Sequence, residues 1–167
     1  MLRTLCFFGL LILLTSCGGG ENPRVYHNDT YDFTLQLPVS WNYRELLDET
    51  GFGSIIFSGH ATKIAAHFAI RIDNQQLDLT EFFEQQLAFP PQVESEDVLD
   101  SILATTVGTL PLRVMQFQVE GIRHELCVAV LERQERFFAF RLEHPLNGPD
   151  TTLWREQFLK MIRSLDF

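Results

Sequence analysis

The stretch Ile122 to Glu132 reads IRHELCVAVLE, and its centre is apolar at every position: Leu126, Val128 and Val130 share one parity, Cys127, Ala129 and Leu131 the other. Successive residues of a strand point to opposite faces, so such a strand belongs to a sheet covered on both sides. Period-two patterning supplies the rest of that sheet. In VYHNDTYDFTLQL, from Val25 to Leu37, Tyr31, Phe33, Leu35 and Leu37 share one face, with Asn28-Asp29-Thr30 as a turn signal. Further strands are expected over Ser54 to Ser58, Ile64 to Asp73, Ile102 to Val107, Leu112 to Glu120, Ile122 to Glu132 and Arg136 to Glu143. The late strands are separated by short turns such as Gly108-Thr109 and Gln134-Glu135, which make neighbours antiparallel.

Two helical segments are available as covers. Asp78 to Ala88 opens with Asp78 and Glu81 at capping-box spacing. Asp150 to Leu165, with Asp150 as N-cap, places Trp154, Phe158, Met161, Ile162 and Leu165 on one stripe. The expected class is α+β: an antiparallel β-sheet with helices packed on both faces, an α/β/α sandwich. The 167 residues, 46% of them hydrophobic, fit a single domain over residues 25–167, without internal repeats or low-complexity tracts.

Residues 1–16 form a different kind of segment. MLRTLCFFGLLILLTS has one cation, Arg3, an apolar run from Leu5 to Leu14, and a small polar end, the layout of a secretory signal peptide. A permanent helical span takes about 20 apolar residues, so this run predicts cleavage. Leu14-Thr15-Ser16-Cys17 resembles the lipobox of bacterial lipoproteins, which implies lipidation of Cys17; an ordinary signal with a chance cysteine is the alternative. Residues 17–24 then form the lipidated cysteine and a tether. Its flexible part, Gly18 to Pro23, reaches on the order of 14 Å root-mean-square. Gly18, where Asp would retain a lipoprotein in the inner membrane, favours the outer membrane with the domain facing the periplasm.

Charge narrows the partners. Removing residues 1–16 takes Arg3 and leaves 12 basic against 22 acidic side chains, a balance of −10. Such a field repels nucleic acid and anionic lipid surfaces, so polyanions are not expected as partners. Between Arg71 and Arg113 there is no Lys or Arg but eight acids: Asp73, Asp78, Glu81, Glu84, Glu94, Glu96, Asp97 and Asp100. Three readings stay open: a solvated face, a surface for a basic protein partner, or a divalent-cation site without the ligand periodicity of an EF-hand.

No reaction is legible. His27, His60, His67, His124 and His144 form no HExxH, HxH or zinc spacing, and Val128 stands where His124-Glu125 would need a second histidine. No G-x-S-x-G or G-x-G-x-x-G occurs, so a nucleophile elbow and a phosphate cradle are both missing. An offset of three on a strand places His124 and Cys127 on opposite faces, and Cys127 reads as a small buried residue, with a reactive thiol as the minor alternative. Phe82, Phe83 and Phe89 exceed what one helix stripe needs; core packing is expected for them, with one left for the surface as the alternative.

Two motifs carry a resemblance. The opening YDFTLQLPxxW, from Tyr31 to Trp41, and the closing FLxxIxSLxF, from Phe158 to Phe167, are similar to those of the PsbP-like superfamily, including DcrB-like bacterial lipoproteins. The resemblance implies an antiparallel sheet between helices. Members of that superfamily include thylakoid lumen proteins, a Ran-binding transport factor and envelope lipoproteins, so it also implies binding of protein partners rather than catalysis. The sequence-level expectation is therefore a monomeric, non-catalytic envelope lipoprotein that binds or assists another envelope protein and needs no cofactor. The alternative is a periplasmic ligand- or divalent-metal-binding lipoprotein using residues 73–100.

Overall fold

The computed structural model describes residues 23–38, 41–49, 52–59, 66–74, 77–90, 93–147 and 151–167. The expected signal segment, Cys17, the expected N-cap Asp150 and the first two residues of the expected strand Ile64 to Asp73 lie outside the described residues. A two-stranded hairpin, β1 (Arg24–Asn28) and β2 (Phe33–Leu37), comes first. The expected turn at Asn28 to Thr30 thus divides the Val25 to Leu37 pattern into two strands. Asn28 is itself buried and its side-chain oxygen accepts from the Tyr31 backbone N–H at 3.0 Å, which closes the turn.

The main sheet has seven antiparallel strands: β3 (Trp41–Leu47), β4 (Gly53–Gly59), β5 (His67–Asn74), β6 (Ser95–Thr105), β7 (Gly108–Val119), β8 (Ile122–Arg133) and β9 (Arg136–Pro145). Their spatial order is β3-β4-β5-β9-β8-β7-β6. The strand with apolar residues on both faces, β8, is therefore interior, paired to β7 and β9. Helix α1 (Leu79–Leu87) joins β5 to β6, and α2 (Thr151–Arg163) follows β9.

Three boundaries differ from the sequence reading, each for a tertiary reason. β3 lies outside the expected strands: its residues other than Trp41 are exposed or half-buried, and only its pairing with β4, Trp41 opposite Gly59 through Leu47 opposite Gly53, makes it a strand. β6 begins at Ser95 rather than Ile102, because the acidic run pairs with β7 from Ser95 opposite Phe117 onward, with a bulge between Asp97 and Leu99. β7 begins at Gly108, ahead of the expected Leu112, so the turn falls at Thr106 and Val107. Pro111 is tolerated there because the β7–β8 ladder starts only at Leu112, leaving Pro111 paired on one side, with Ile102.

The capping box forms as expected. The Asp78 carboxylate accepts from the Glu81 N–H at 2.8 Å and the Asp78 N–H donates to the Glu81 carboxylate at 3.5 Å. Alternation along β8 and β9 divides the buried side chains into two clusters. Cys127, Ala129, Leu131, Phe138, Phe140 and Leu142 pack with the hairpin's Tyr26, Phe33 and Leu35 and with the whole stripe Trp154, Phe158, Met161, Ile162 and Leu165 of the α2 segment. Leu126, Val128, Val130, Phe137 and Ala139 pack with Phe82, Phe83 and Leu87 of α1. Phe82 and Phe83 are thus core residues, while Phe89 is half-buried with its ring 4.6 Å from that of Phe117.

Candidate functional site

A buried polar cluster lies where β8 and β9 meet the first turns of α2. Glu125 is 1% exposed, His144 stands opposite it on β9 and is wholly buried, and Cys127 lies two residues along the same face. Arg155 closes the cluster from α2: its Nε donates to Glu125 Oε1 at 2.8 Å and its terminal nitrogen to Oε2, a two-point grip on the carboxylate. His144 Nε2 is 3.4 Å from Oε1, and the Cys127 thiol donates to the same oxygen at 3.7 Å. Burial alone raises a carboxyl pKa, but here the bonds from Arg155 and His144 outweigh it and hold Glu125 down at about 2. Burial pushes the Cys127 thiol well up, and the Glu125 charge adds to the effect.

These shifts decide what the cluster can do. A carboxylate that far below neutrality, with both oxygens occupied, has little affinity for a proton at neutral pH. A thiol without solvent access and with a raised pKa is not a thiolate nucleophile. The arrangement fastens α2 to the sheet. Sequence reasoning missed it, although one signal was present: Glu125 occupies an inward position in a strand otherwise apolar at its centre.

The histidines do not converge. His27 is an exposed partner of Asp29 at 3.0 Å, His67 is exposed, and His60 lies outside the described residues. His124 stacks on Phe117, ring centroids 5.3 Å apart, and its Nδ1 is 3.7 Å from Glu143. His124 therefore belongs with the α1-side cluster that holds Phe117, and Cys127 with the α2-side cluster, as the odd spacing requires.

The acidic segment is exposed along most of β6, at one edge of the sheet. Its isolation in sequence is undone by its neighbours. Arg113 of β7 bridges Asp100 at 3.2 Å and Glu84 of α1 at 3.1 Å, and Arg123 of β8 reaches Glu96 at 2.8 Å. Among the described residues no group of three or more His, Cys, Asp or Glu side chains is placed to hold a metal ion. Two cavities flank the β7–β8 hairpin. One, of about 320 Å³, is polar and bordered by Glu94, Glu96, Gln116, Gln118 and Arg123. The other, of about 470 Å³, lies under the α1–β6 connection between Phe89, Val93, Phe117 and the pair Arg141 and Glu143.

With this geometry in view, solved structures provide the comparison. Cyanobacterial PsbP (CyanoP) from Synechocystis is 13% identical over 92% of this chain and 98% of its own, with a TM-score of 0.59. The Saccharomyces cerevisiae Ran-binding protein Mog1p is 11% identical over 87% of this chain and 95% of its own, with a TM-score of 0.60. The fold is that of PsbP and Mog1. A Bacteroides thetaiotaomicron protein is also similar, 16% identical over 87% of this chain with a TM-score of 0.58, and this chain spans about half of its length, 48%. No family model and no curated protein sequence matches the chain. The superpositions establish a PsbP-like fold, and at identities this low they transfer no residue role. Among the described residues no helix is long and apolar enough to cross a membrane.

Proposed function

We propose that the chain is a lipid-anchored envelope protein, held at the outer membrane by Cys17, whose PsbP-like domain docks a basic, extended segment of another envelope protein and performs no chemistry. In this reading the sheet is an α/β/α sandwich, with α1 on one face and α2 plus the β1–β2 hairpin on the other. The observation that carries it is β6. Eleven residues long and last in the sheet, it has β7 on one side and, among the described strands, none on the other. Such an edge offers backbone hydrogen bonds to an added strand. Val98, Leu99 and Ile102 are exposed along it, Ile102 at 73%, interleaved with Glu96, Asp97 and Asp100. Arg113 and Arg123 offset part of this charge, but with Glu94 and Asp97 the edge stays net acidic, which favours a basic segment and disfavours self-pairing. That Mog1p is a Ran-binding protein supports the use of this fold in protein binding by analogy.

The alternative of a cation site in residues 73–100 is disfavoured because, among the described residues, these carboxylates are spread along the edge and no three of them converge. A photocrosslinker in place of Ile102 in the native lipoprotein should capture one defined envelope protein, while one in place of Glu132, at the far end of β8, should not. Equal capture at both positions would remove the edge from the proposal. For the anchor, Cys17→Ser should shift the protein out of the membrane fraction or leave an unprocessed precursor; unchanged detergent partitioning and mass would sink that part.

A further inference from the structure

The register of the strands gives the domain two unlike ends. Arg24 opposite Leu37, Trp41 opposite Gly59, Ser58 opposite His67, His124 opposite Pro145 and Val119 opposite Ile122 all lie at one end. This is also where the chain enters the described structure, at Pro23 and Arg24, six residues after Cys17. The Arg24 guanidinium lies 5.8 Å from the Tyr43 ring centroid, so entry is beside β3.

Among the described residues, the β7–β8 hairpin projects farthest at this end. His67, the first residue of β5, is level with Glu143 and, through it, with Leu126 of β8. From Leu126 the hairpin continues four more residues to Ile122, about 13 Å at the rise of a strand. Its tip is a two-residue turn, Glu120 and Gly121, flanked by Val119 and Ile122, each 41% exposed. Val25, 61% exposed, and Leu153 in the first turn of α2, 44% exposed, are at the same end. The opposite end holds the turns bearing Asp29, Asp32, Asp48 and Glu135, together with the strand ends at Asp73, Glu132, Arg133 and Arg136.

We propose that this end is a second, non-covalent membrane contact: the β7–β8 hairpin tip and the Arg24–Val25 corner rest on the bilayer that holds Cys17. The proposal rests on the anchor reading above. A six-residue tether reaches roughly 14 Å, so the end at which it enters has to lie near the lipid surface. The hairpin is about 20 Å away along the sheet, at roughly 4.8 Å per strand, which makes two separated points of support. Val119, Ile122 and Leu153 bury apolar surface at the headgroup boundary, where Glu120 remains among the headgroups. Asp29, Asp32, Asp48 and Glu135 then project away from the surface. β6 runs from that surface outward and stays open along its length.

The test uses the acylated protein on vesicles of phosphatidylethanolamine and phosphatidylglycerol, with a spin label placed in turn at V119C, I122C, I102C and E135C. Cys127 is buried and stays unlabelled in the folded state. Labels at 119 and 122 should be relaxed several-fold more by lipid-soluble oxygen than by a water-soluble nickel chelate, and those at 102 and 135 the reverse. Vesicle-bound protein whose labels at 119 and 122 favour the nickel chelate overturns the proposed orientation and leaves the anchor intact. Protein that stays out of the vesicle pellet overturns the anchor reading and the orientation with it.

Discussion

Glu125 is the residue on which most of the interior electrostatics turn. Its carboxylate is buried and held by Arg155, which is one-third exposed, and by His144, which is wholly buried. Breaking a buried ion pair costs about 3–5 kcal/mol, because the remaining partner is left uncompensated. Glu125→Gln should fall at the low end, about 3 kcal/mol at neutral pH, since Arg155 can turn to water. The pH dependence has a definite sign. The folded-state pKa, about 2, is below the ordinary value of 4.5, so the folded state binds the proton less tightly than the unfolded one. The stabilisation is therefore complete above pH 4.5 and lost as pH falls from 4.5 towards 2. Denaturant melts across that range should show the wild type losing stability faster than Glu125→Gln, until the two converge. Parallel curves would show that the pair contributes nothing. Tyr26 is a second buried group of this kind: its hydroxyl donates to Glu45 Oε1 at 2.6 Å and burial pushes its pKa up, so it acts as a neutral donor between hairpin and β3.

At the scale of elements, the β8–β9 hairpin turns on Gln134 and Glu135, with φ of 51° and 60°. Two successive residues at positive φ are the signature of a type I′ turn, which follows the strand twist but suits Asn-Gly. Replacing Gln134-Glu135 by Asn-Gly should stabilise the domain by about 1 kcal/mol, read as a raised melting temperature. The β3–β4 turn has the opposite requirement. Gly53 has a φ of 142°, and a Cβ there would come within 2.2 Å of the Leu46 carbonyl oxygen. Gly53→Ala should cost about 3 kcal/mol and detach β3 before the rest of the sheet, seen as selective loss of amide protection in residues 41–47. The helices differ in what holds them: α1 has its capping box and Phe82 and Phe83, whereas α2 is held by its apolar stripe and by Arg155.

For the whole molecule, burial and pairing decrease from the sheet centre outward. β8 and β9 are almost wholly buried at their centres and have partners on both sides, whereas β3 and β6 are exposed edges. Amide exchange should therefore be slowest in Leu126 to Leu131 and Phe137 to Leu142, and fastest among the strands in β3 and β6. Uniform exchange across the sheet would contradict this gradient. The C-terminus closes the structure: the Thr34 and Asp166 backbones bond in both directions, at 2.8 and 3.1 Å, the Gln36 N–H donates to Ser164 Oγ at 2.9 Å, and Phe167 packs on Phe33 and Phe138. The terminal Ser-Leu-x-Phe motif thus ties hairpin, helix and sheet together, which is a structural role.

The sequence by itself determined what neighbours along the chain can encode. Period-two patterning located most of the sheet, β8's two apolar faces required cover on both sides, and the Asp78 and Glu81 spacing specified the start of α1, because each depends on residues a few positions apart. The resemblance of Leu14 to Cys17 to a lipobox, on which the proposed anchor rests, is likewise local. Tertiary structure alone decided whatever depends on a distant partner. WNYRELL becomes β3 only because β4 lies beside it, and the acidic Ser95 to Asp100 becomes part of a strand only because β7 offers an open ladder. Glu125 meets Arg155 across thirty residues and His144 across nineteen, distances over which no spacing rule operates. Arg113 and Arg123 neutralise acids from a stretch that contains no base of its own, since charge is balanced between strands adjacent in space, not in sequence.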